Sequence, residues 1–324
     1  MPMMAEADVS ISVVTTEYSG HAFDVVQSAD LSAWGGIVVV SGDGVLYEVV
    51  NGLMSRPDWE QAIKIPLGIL PAGSGNGLCY SINYALGEPF EEDRMVHSTF
   101  VLLKATMKGH TRPLDLMSVD TASERRYAFL SFQWGFSADV DIESERYRYL
   151  GGSRFLFGSL HNLMKLRLYR GKLSFLPPCP ASGHRPRRVY GPPSPLLPPL
   201  DQPVPADWVT IETDFVTMII QSISHISEGY FSSPCSSFDD GVLFLSFLKS
   251  GVSRRQMLKF MGKMAEGTQV FDFGSDGGYV CCKAFRVEPV TPPGLMTLDG
   301  EKIEYGPVQG QVHHGVINLI MPND

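Results

Sequence analysis

Apolar positions in the first third of the chain fall into two alternating spacings. Val9 to Val14 reads as a short strand, and after the polar turn Tyr18-Ser19-Gly20 the stretch from Ala22 to Leu31 reads as a helix. Gly36-Ile-Val-Val-Val40 is an unbroken, β-branched apolar run, which predicts a strand buried on both faces. It passes straight into Ser41-Gly-Asp-Gly44 and a helical stretch, Val45 to Met54. The same build returns at Ile65 to Leu70, followed by Pro71-Ala-Gly-Ser-Gly-Asn76 and another helix. Strand, glycine-rich turn and helix, used twice in succession, predict a parallel α/β sheet whose turns meet at its carboxyl edge.

From about Thr111 the texture changes. Leu114 to Val119, Arg126 to Trp134, Val209 to Ile220, Val242 to Lys249 and Tyr279 to Val287 predict strands, many with loose alternation. The expected organisation is an α/β nucleotide-binding domain over 1–110 and a mostly β, sandwich-like domain over 111–324, with the active site in the cleft between them. One helix, Ser153 to Tyr169, interrupts the second part, and a proline-rich loop near 177–206, with Arg185, Arg187 and Arg188, is expected to be mobile surface. Ser194-Pro195 inside it is an accessible proline-directed phosphorylation candidate.

Composition narrows the partners. A net charge of −9 and a pI near 5.4 argue against a broad hold on nucleic acid. Five cysteines, at 79, 179, 235, 281 and 282, form no CxxC or Cys/His spacing, so a reducing, cytoplasmic compartment is expected. Met1 to Asp8 has neither a basic nor an apolar signal region, and no apolar run approaches the roughly 18–20 residues of a membrane span. Any membrane contact is expected from the surface, by reversible recruitment.

The two turns carry the candidate chemistry. Glycines let backbone amides approach a ligand, and the helix N-terminus behind them favours an anion. A carboxylate there repels phosphate unless it has a task, so Asp43 either accepts a proton from an attacking hydroxyl, holds a magnesium ion, or simply caps its helix. The second turn is either a phosphate or ribose cradle or a tight βα turn capped by Asn76. Two such turns on successive parallel strands converge, and neither is a GxxxxGK[ST] loop or a GxGxxG fingerprint.

Val40-Ser-Gly-Asp-Gly-Val-Leu-Tyr-Glu-Val-Val-Asn-Gly52, followed by Leu70-Pro-Ala-Gly-Ser-Gly-Asn76, resembles the diacylglycerol-kinase catalytic superfamily. Trp134-Gly-Phe-Ser-Ala-Asp-Val-Asp-Ile-Glu-Ser-Glu-Arg-Tyr-Arg148, Gly152-Ser-Arg-Phe155 and Leu298-Asp-Gly-Glu301 narrow the resemblance to the sphingosine kinases, and the short proline-rich loop makes it type 1-like. The resemblance runs from about Ala5 onward and implies a lipid kinase, using ATP and Mg2+, that converts sphingosine to sphingosine 1-phosphate. It implies Asp43 as general base, with Ser41, Gly42 and Gly44 shaping the turn where phosphoryl group and acceptor meet. Gly73, Ser74 and Gly75 would line the nucleotide, with Thr16, Glu17, Tyr18, Ser19, Gly20 and Glu48 beside it. Arg148 and Arg154 would neutralise phosphate charge, Asp141 with Ser131 would hold the sphingoid head, and Asp299, Gly300 and Glu301 would close the nucleotide site.

The stretch 155–172 interleaves Phe155, Leu156, Phe157, Leu160, Leu163 and Met164 with Lys165, Arg167, Arg170 and Lys172. It is either a helix packed on the second domain or an interfacial or calmodulin-type segment that meets membranes. Two departures from the family pattern bear on the phosphate site. The strand and Asn-Pro-x-x-Gly-x-Gly turn of the family have no counterpart here, and Tyr18, Ser19 and Gly20 stand where basic residues are usual. The alternative function is therefore a weak or inactive member that acts through lipid or partner binding.

Overall fold

A computed structural model describes residues 6–88, 94–178, 194–271, 273–290 and 293–323. Helix α1 (His21–Ser28) leads to β1 (Ile37–Ser41), α2 (Asp43–Met54), α3 (Trp59–Ala62), β2 (Leu67–Pro71) and α4 (Gly77–Ala85). β1 and β2 pair in parallel, with Val39 opposite Ile69, and each ends in a glycine-rich turn. Helix α5 (Arg94–Lys108) buries Leu102 and Ala105 against Leu70 and Ile320 of this sheet.

An antiparallel array follows. Its first strands are β3 (Thr111–Asp120), β4 (Arg125–Ala128) and β5 (Ser131–Gly135). Helices α6 (Phe136–Glu143) and α7 (Arg154–Lys165) come next, joined by a 3-10 stretch, then β6 (Tyr169–Leu176), β7 (Val209–Gln221) and β8 (Leu243–Lys249). Helix α8 (Arg254–Glu266) precedes β9 (Gly277–Cys282), β10 (Ala284–Pro289), β11 (Met296–Leu298), β12 (Glu301–Lys302) and β13 (Val308–Ile320). The ladder order is β1-β2-β13-β10-β6-β7-β5-β11-β12, with β3 and β4 branching from β13 and β8 and β9 from β7. Strand β13 runs antiparallel to β3 and meets β2 in parallel at Leu319 and Leu67, so both halves share one mixed, open ladder. Trp134, Phe132, Phe215 and Phe285 are fully buried at its centre, each contributing on the order of 2–3 kcal/mol of apolar transfer.

Five expectations change. Val9 to Val14 forms no strand with the described residues and is exposed from Ser10 onward, because β propensity makes a strand only where a neighbour satisfies its amides and carbonyls. Among the described residues β1 pairs only with β2, and one of its faces is open: Val38 and Val40 are 38% and 53% exposed while Val39, on the other face, is buried. The run 126–134 breaks into β4 and β5, because the amides of 129–131 turn to a buried carboxylate, Asp299. Tyr279 to Val287 likewise breaks at Lys283, whose amide bonds the Leu176 carbonyl, sending β9 to β8 and β10 to β6. The predicted helix to 169–172 stops at Lys165, where Leu166 turns left-handed at φ 38°, and Tyr169 already belongs to β6.

The proline-rich loop also differs from a mobile surface. Its second half is strapped to the sheet by Arg286, which is 1% exposed and donates to the carbonyls of Pro198, Pro199 and Gln202 and to Gln309. Ser194 is half-buried with its hydroxyl 3.3 Å from that of Ser118, not freely accessible as expected. Residues 179–193, including Cys179, Arg185, Arg187 and Arg188, lie outside the described part. Helix α8 had a legible signal, the Ser253/Gln256 capping box that closes its first turn.

Candidate active site

The two glycine-rich turns pack backbone against backbone. A Cβ on Gly42 would lie 2.6 Å from the Gly75 carbonyl oxygen, so only glycine allows the approach. The Asp43 amide donates to Gly75 O at 3.3 Å, Ala72 N donates to Ser41 O at 3.1 Å, and the Asn76 side chain closes the second turn on both the amide and carbonyl of Gly73.

Asp43 is the first residue of α2, yet its carboxylate does not cap that helix. It accepts the amide of Gly77 at 2.6 Å and that of Leu78 at 3.2 Å, the first turn of α4. The side chain thus sits at two helix N-termini at once. Burial pushes its pKa up from 3.8 to about 6, against the pull of those amides. A carboxylate that is mostly ionised near neutrality, and costly to keep so, is suited to accept a proton.

A cavity of about 520 Å3 opens beside it. One end is polar, lined by Ser41, Gly42, Gly44, Gly73, Ser74 and Gly75, with Thr16, Tyr18, Ser19 and Glu48 at its margin. The other end is apolar, walled by Phe136 and Val140 of α6, Phe155, Ile219, and Met257, Phe260 and Met264 of α8. Asp141 stands in the wall shared with Arg154 and Glu301; its exposed surface faces the cavity, and burial pushes its pKa up to about 7, opposed by Arg154 and reinforced by Glu301.

The other expected residues divide. Arg154 is 6% exposed, lines the cavity, bonds Glu145, lies over the Phe155 ring, and leaves its Nε without a partner. Glu48 spends both carboxylate oxygens on the amides of Gly20 and Ala22, fixing the start of α1. Tyr18 donates to Asp24, and Glu17 is exposed and outside the cavity lining. Asp299 lines the cavity but holds structure, accepting the amides of Phe129, Leu130 and Ser131, while burial lifts its pKa to about 7. Gly300, at φ 86°, and Glu301 follow it on the rim, Glu301 Oε1 lying 3.2 Å from where a Gly44 Cβ would be. Ser131 is not brought to the site: it is fully buried in β5, and Gln133, two residues on, faces the cavity instead. The side chain of Arg148 lies outside the described residues. The apolar walls of α8 and β7 were missed, because an amphipathic helix reads as core whether its apolar face meets protein or cavity.

The profile of the diacylglycerol kinase catalytic domain matches residues 1–119, which contain both turns and Asp43. Human sphingosine kinase 1 is 40% identical over 320 residues, covering 96% of this chain and 82% of the relative. The chain is a member of the sphingosine kinase family. Human sphingosine kinase 2 is 34% identical, covering 99% of this chain and 67% of that relative, so the family likeness spans both turns, the cavity and β13. A solved diacylglycerol kinase of Bacillus anthracis str. Sterne superposes with a TM-score of 0.60 at 16% identity, covering 100% of this chain and 89% of that one, a likeness of fold.

Proposed function

We propose that this chain transfers the γ-phosphoryl group of ATP to the primary hydroxyl of sphingosine, giving sphingosine 1-phosphate. The observation that carries the reading is the position of Asp43, between a glycine-lined polar pocket and an apolar one with Asp141 in its wall. The nucleotide phosphates lie along the backbone of 41–44 and 73–75, where amides and two helix N-termini favour anions. The sphingoid tail fills the α6–α8 end, its ammonium meets Asp141, and its hydroxyl gives its proton to Asp43 as the phosphoryl group arrives. Arg154, released from Glu145, stabilises the charge on the transferred group through the guanidinium nitrogen that this frees.

Magnesium would fit this site as an ion carried by the nucleotide. Both carboxylate oxygens of Asp43 and of Asp299 are taken by backbone amides, and no cluster of three or more ligating side chains exists among the described residues. Such an ion would neutralise phosphate charge.

Transfer of label from ATP to sphingosine, against diacylglycerol and ceramide, tests the reading. Label on sphingosine alone supports it; label on diacylglycerol alone overturns the acceptor, and sphingosine binding without transfer favours a lipid-binding member that does not turn over. Asp141 adds a pH signature. Its carboxyl is protonated below about 7 in the empty site, and the ammonium needs it ionised. The KM for sphingosine is expected to rise up to about tenfold per pH unit below that point. In Asp141→Asn it should be high and flat across the same range.

The membrane reading rests on α7. Leu156, Phe157, Leu160 and Met164 are 58%, 50%, 45% and 73% exposed, while Lys165 and Arg167 are drawn to Glu143. No described helix is long and apolar enough to cross a membrane. A cytoplasmic protein that collects its lipid from a bilayer surface would use this face, and with its cations engaged it suits lipid better than a calmodulin-type partner. Phe157→Glu with Leu160→Glu is expected to weaken vesicle binding by about tenfold or more and leave turnover of detergent-presented sphingosine intact. Equal loss in both assays would remove the proposal.

A further inference from the structure

Two segments distant in sequence meet at the helix that holds the base. Residues 222–233, between β7 and β8, lie over α4. The His225 amide donates to Ser81 Oγ at 3.0 Å, and a Cβ on Gly77 would come within 2.8 Å of the carbonyl oxygens of His225 and Ile226. Rings lock the contact from the side. His225 stacks on Phe231 at 4.4 Å and 7°, and Tyr84 of α4 meets His225 at 5.6 Å and Phe231 at 4.7 Å. Ser81 is 2% exposed, and burial holds the His225 ring neutral, its pKa lowered to about 4.

Ser81 and Tyr84 do not line the cavity and reach the chemistry through α4, whereas Ile226, Ser227 and Tyr230 of the loop line it themselves, so the Ser81 variants isolate the route through α4. The first two amides of that helix, Gly77 and Leu78, are the groups that bind the Asp43 carboxylate. Their direction follows the first turn of α4, which is held on one side by the Asn76–Gly73 turn and on the other by this loop.

We infer that Ser81 and His225 are positioning residues for the general base: the 222–233 loop clamps α4 so that its leading amides hold the Asp43 carboxylate in place. The inference rests on the role of Asp43 given under Proposed function. It makes base strength depend on how the β-rich half docks against the nucleotide half. Amides bonded to a carboxylate favour its ionised form, so loosening the clamp raises the pH at which Asp43 gives up its proton. The titratable groups facing Asp43 are Asp299 beyond β11, Glu301 on β12 and Cys79 on α4, and Lys302 lines the same cavity. All four stay unchanged in the variants below.

Ser81→Ala removes the acceptor, and Ser81→Thr keeps a hydroxyl in its place. The acid limb of kcat in Ser81→Ala is expected to move up by about one pH unit, with both KM values within about twofold of wild type and kcat recovering above about pH 8. Ser81→Thr should return the limb toward wild type. Carbon-13 titration of the Asp43 carboxyl without substrates should move in parallel. That readout holds even if the chain phosphorylates no sphingosine, which separates failure of this inference from failure of the function. His225→Ala, which removes the ring stack on α4, serves if Ser81→Ala does not fold, with both KM values within about twofold of wild type excluding an effect through the neighbouring cavity-lining Ile226. An unmoved limb and an unmoved carboxyl titration, beside a lowered Tm, would reduce Ser81 and His225 to structural residues and overturn the inference.

Discussion

Asp43→Asn is expected to lower kcat for sphingosine phosphorylation by about 10²- to 10⁴-fold, the usual contribution of a general base. The substitution changes little else. Asparagine keeps one oxygen for the amides of Gly77 and Leu78, so one bond is lost, at a cost of about 1–3 kcal/mol. Against that, a desolvated carboxylate is removed from a site that raises its pKa to about 6. Thermal stability should therefore stay near wild type, and the nucleotide Kd should change by less than about tenfold. The pH profile supplies the sign. A folded pKa above the usual 3.8 means the base is protonated as pH falls through about 6, so wild-type kcat declines below that point. The residual rate of the variant should lack this limb. A variant that keeps wild-type kcat would show that another group takes the proton.

Asp299→Ala is expected to cost about 4–6 kcal/mol of folding stability, read by urea denaturation. Three buried amides, of Phe129, Leu130 and Ser131, lose their carboxylate acceptor, each at about 1–3 kcal/mol. Alanine must also take the left-handed φ of 50° that aspartate tolerates better. Asp299→Asn, which retains an oxygen, should lose about half as much. Linkage gives a second mark. The folded carboxyl holds its proton up to about 7 while the unfolded one releases it near 3.8. Across that window the unfolded state binds fewer protons, so this group's contribution to stability falls as pH rises, a slope the Asn variant should lose. A loss below about 1 kcal/mol in Asp299→Ala would mean that water replaces the carboxylate.

These two residues show how unevenly the site could be read. Asp43 was legible because it sits inside a short glycine-rich turn, where sequence neighbours are also spatial neighbours. Asp299 was legible only as part of Leu298-Asp-Gly-Glu301, as a residue closing the nucleotide site, and its bonds to three backbone amides were not part of that reading. Its three partners lie some 170 positions earlier, and no local pattern reports a carboxylate that bonds the backbone of another strand pair. Ser131 was misplaced for a similar reason: it shares a face of β5 with the cavity-lining Gln133, yet the whole strand is buried and Ser131 is covered, which its own sequence neighbourhood does not report. The 155–172 stretch carried a helical spacing to its end, yet pairing of Tyr169 with Phe215 pulled its last turn into a sheet.

By itself the sequence determined the repeated strand–turn–helix, the convergence of two glycine-rich turns at one sheet edge, the aspartate between them and the family. Each depends on residues within a few positions of one another, where backbone geometry couples sequence directly to shape. Only the tertiary structure decided which strands find partners, leaving β1 at an edge and Val9 to Val14 unpaired among the described residues. It alone put Asp141 in a cavity wall, Arg154 against Glu145, and the 222–233 loop against the helix that holds Asp43. Those outcomes are set by long-range packing and by which buried polar groups find partners, terms that no local spacing encodes.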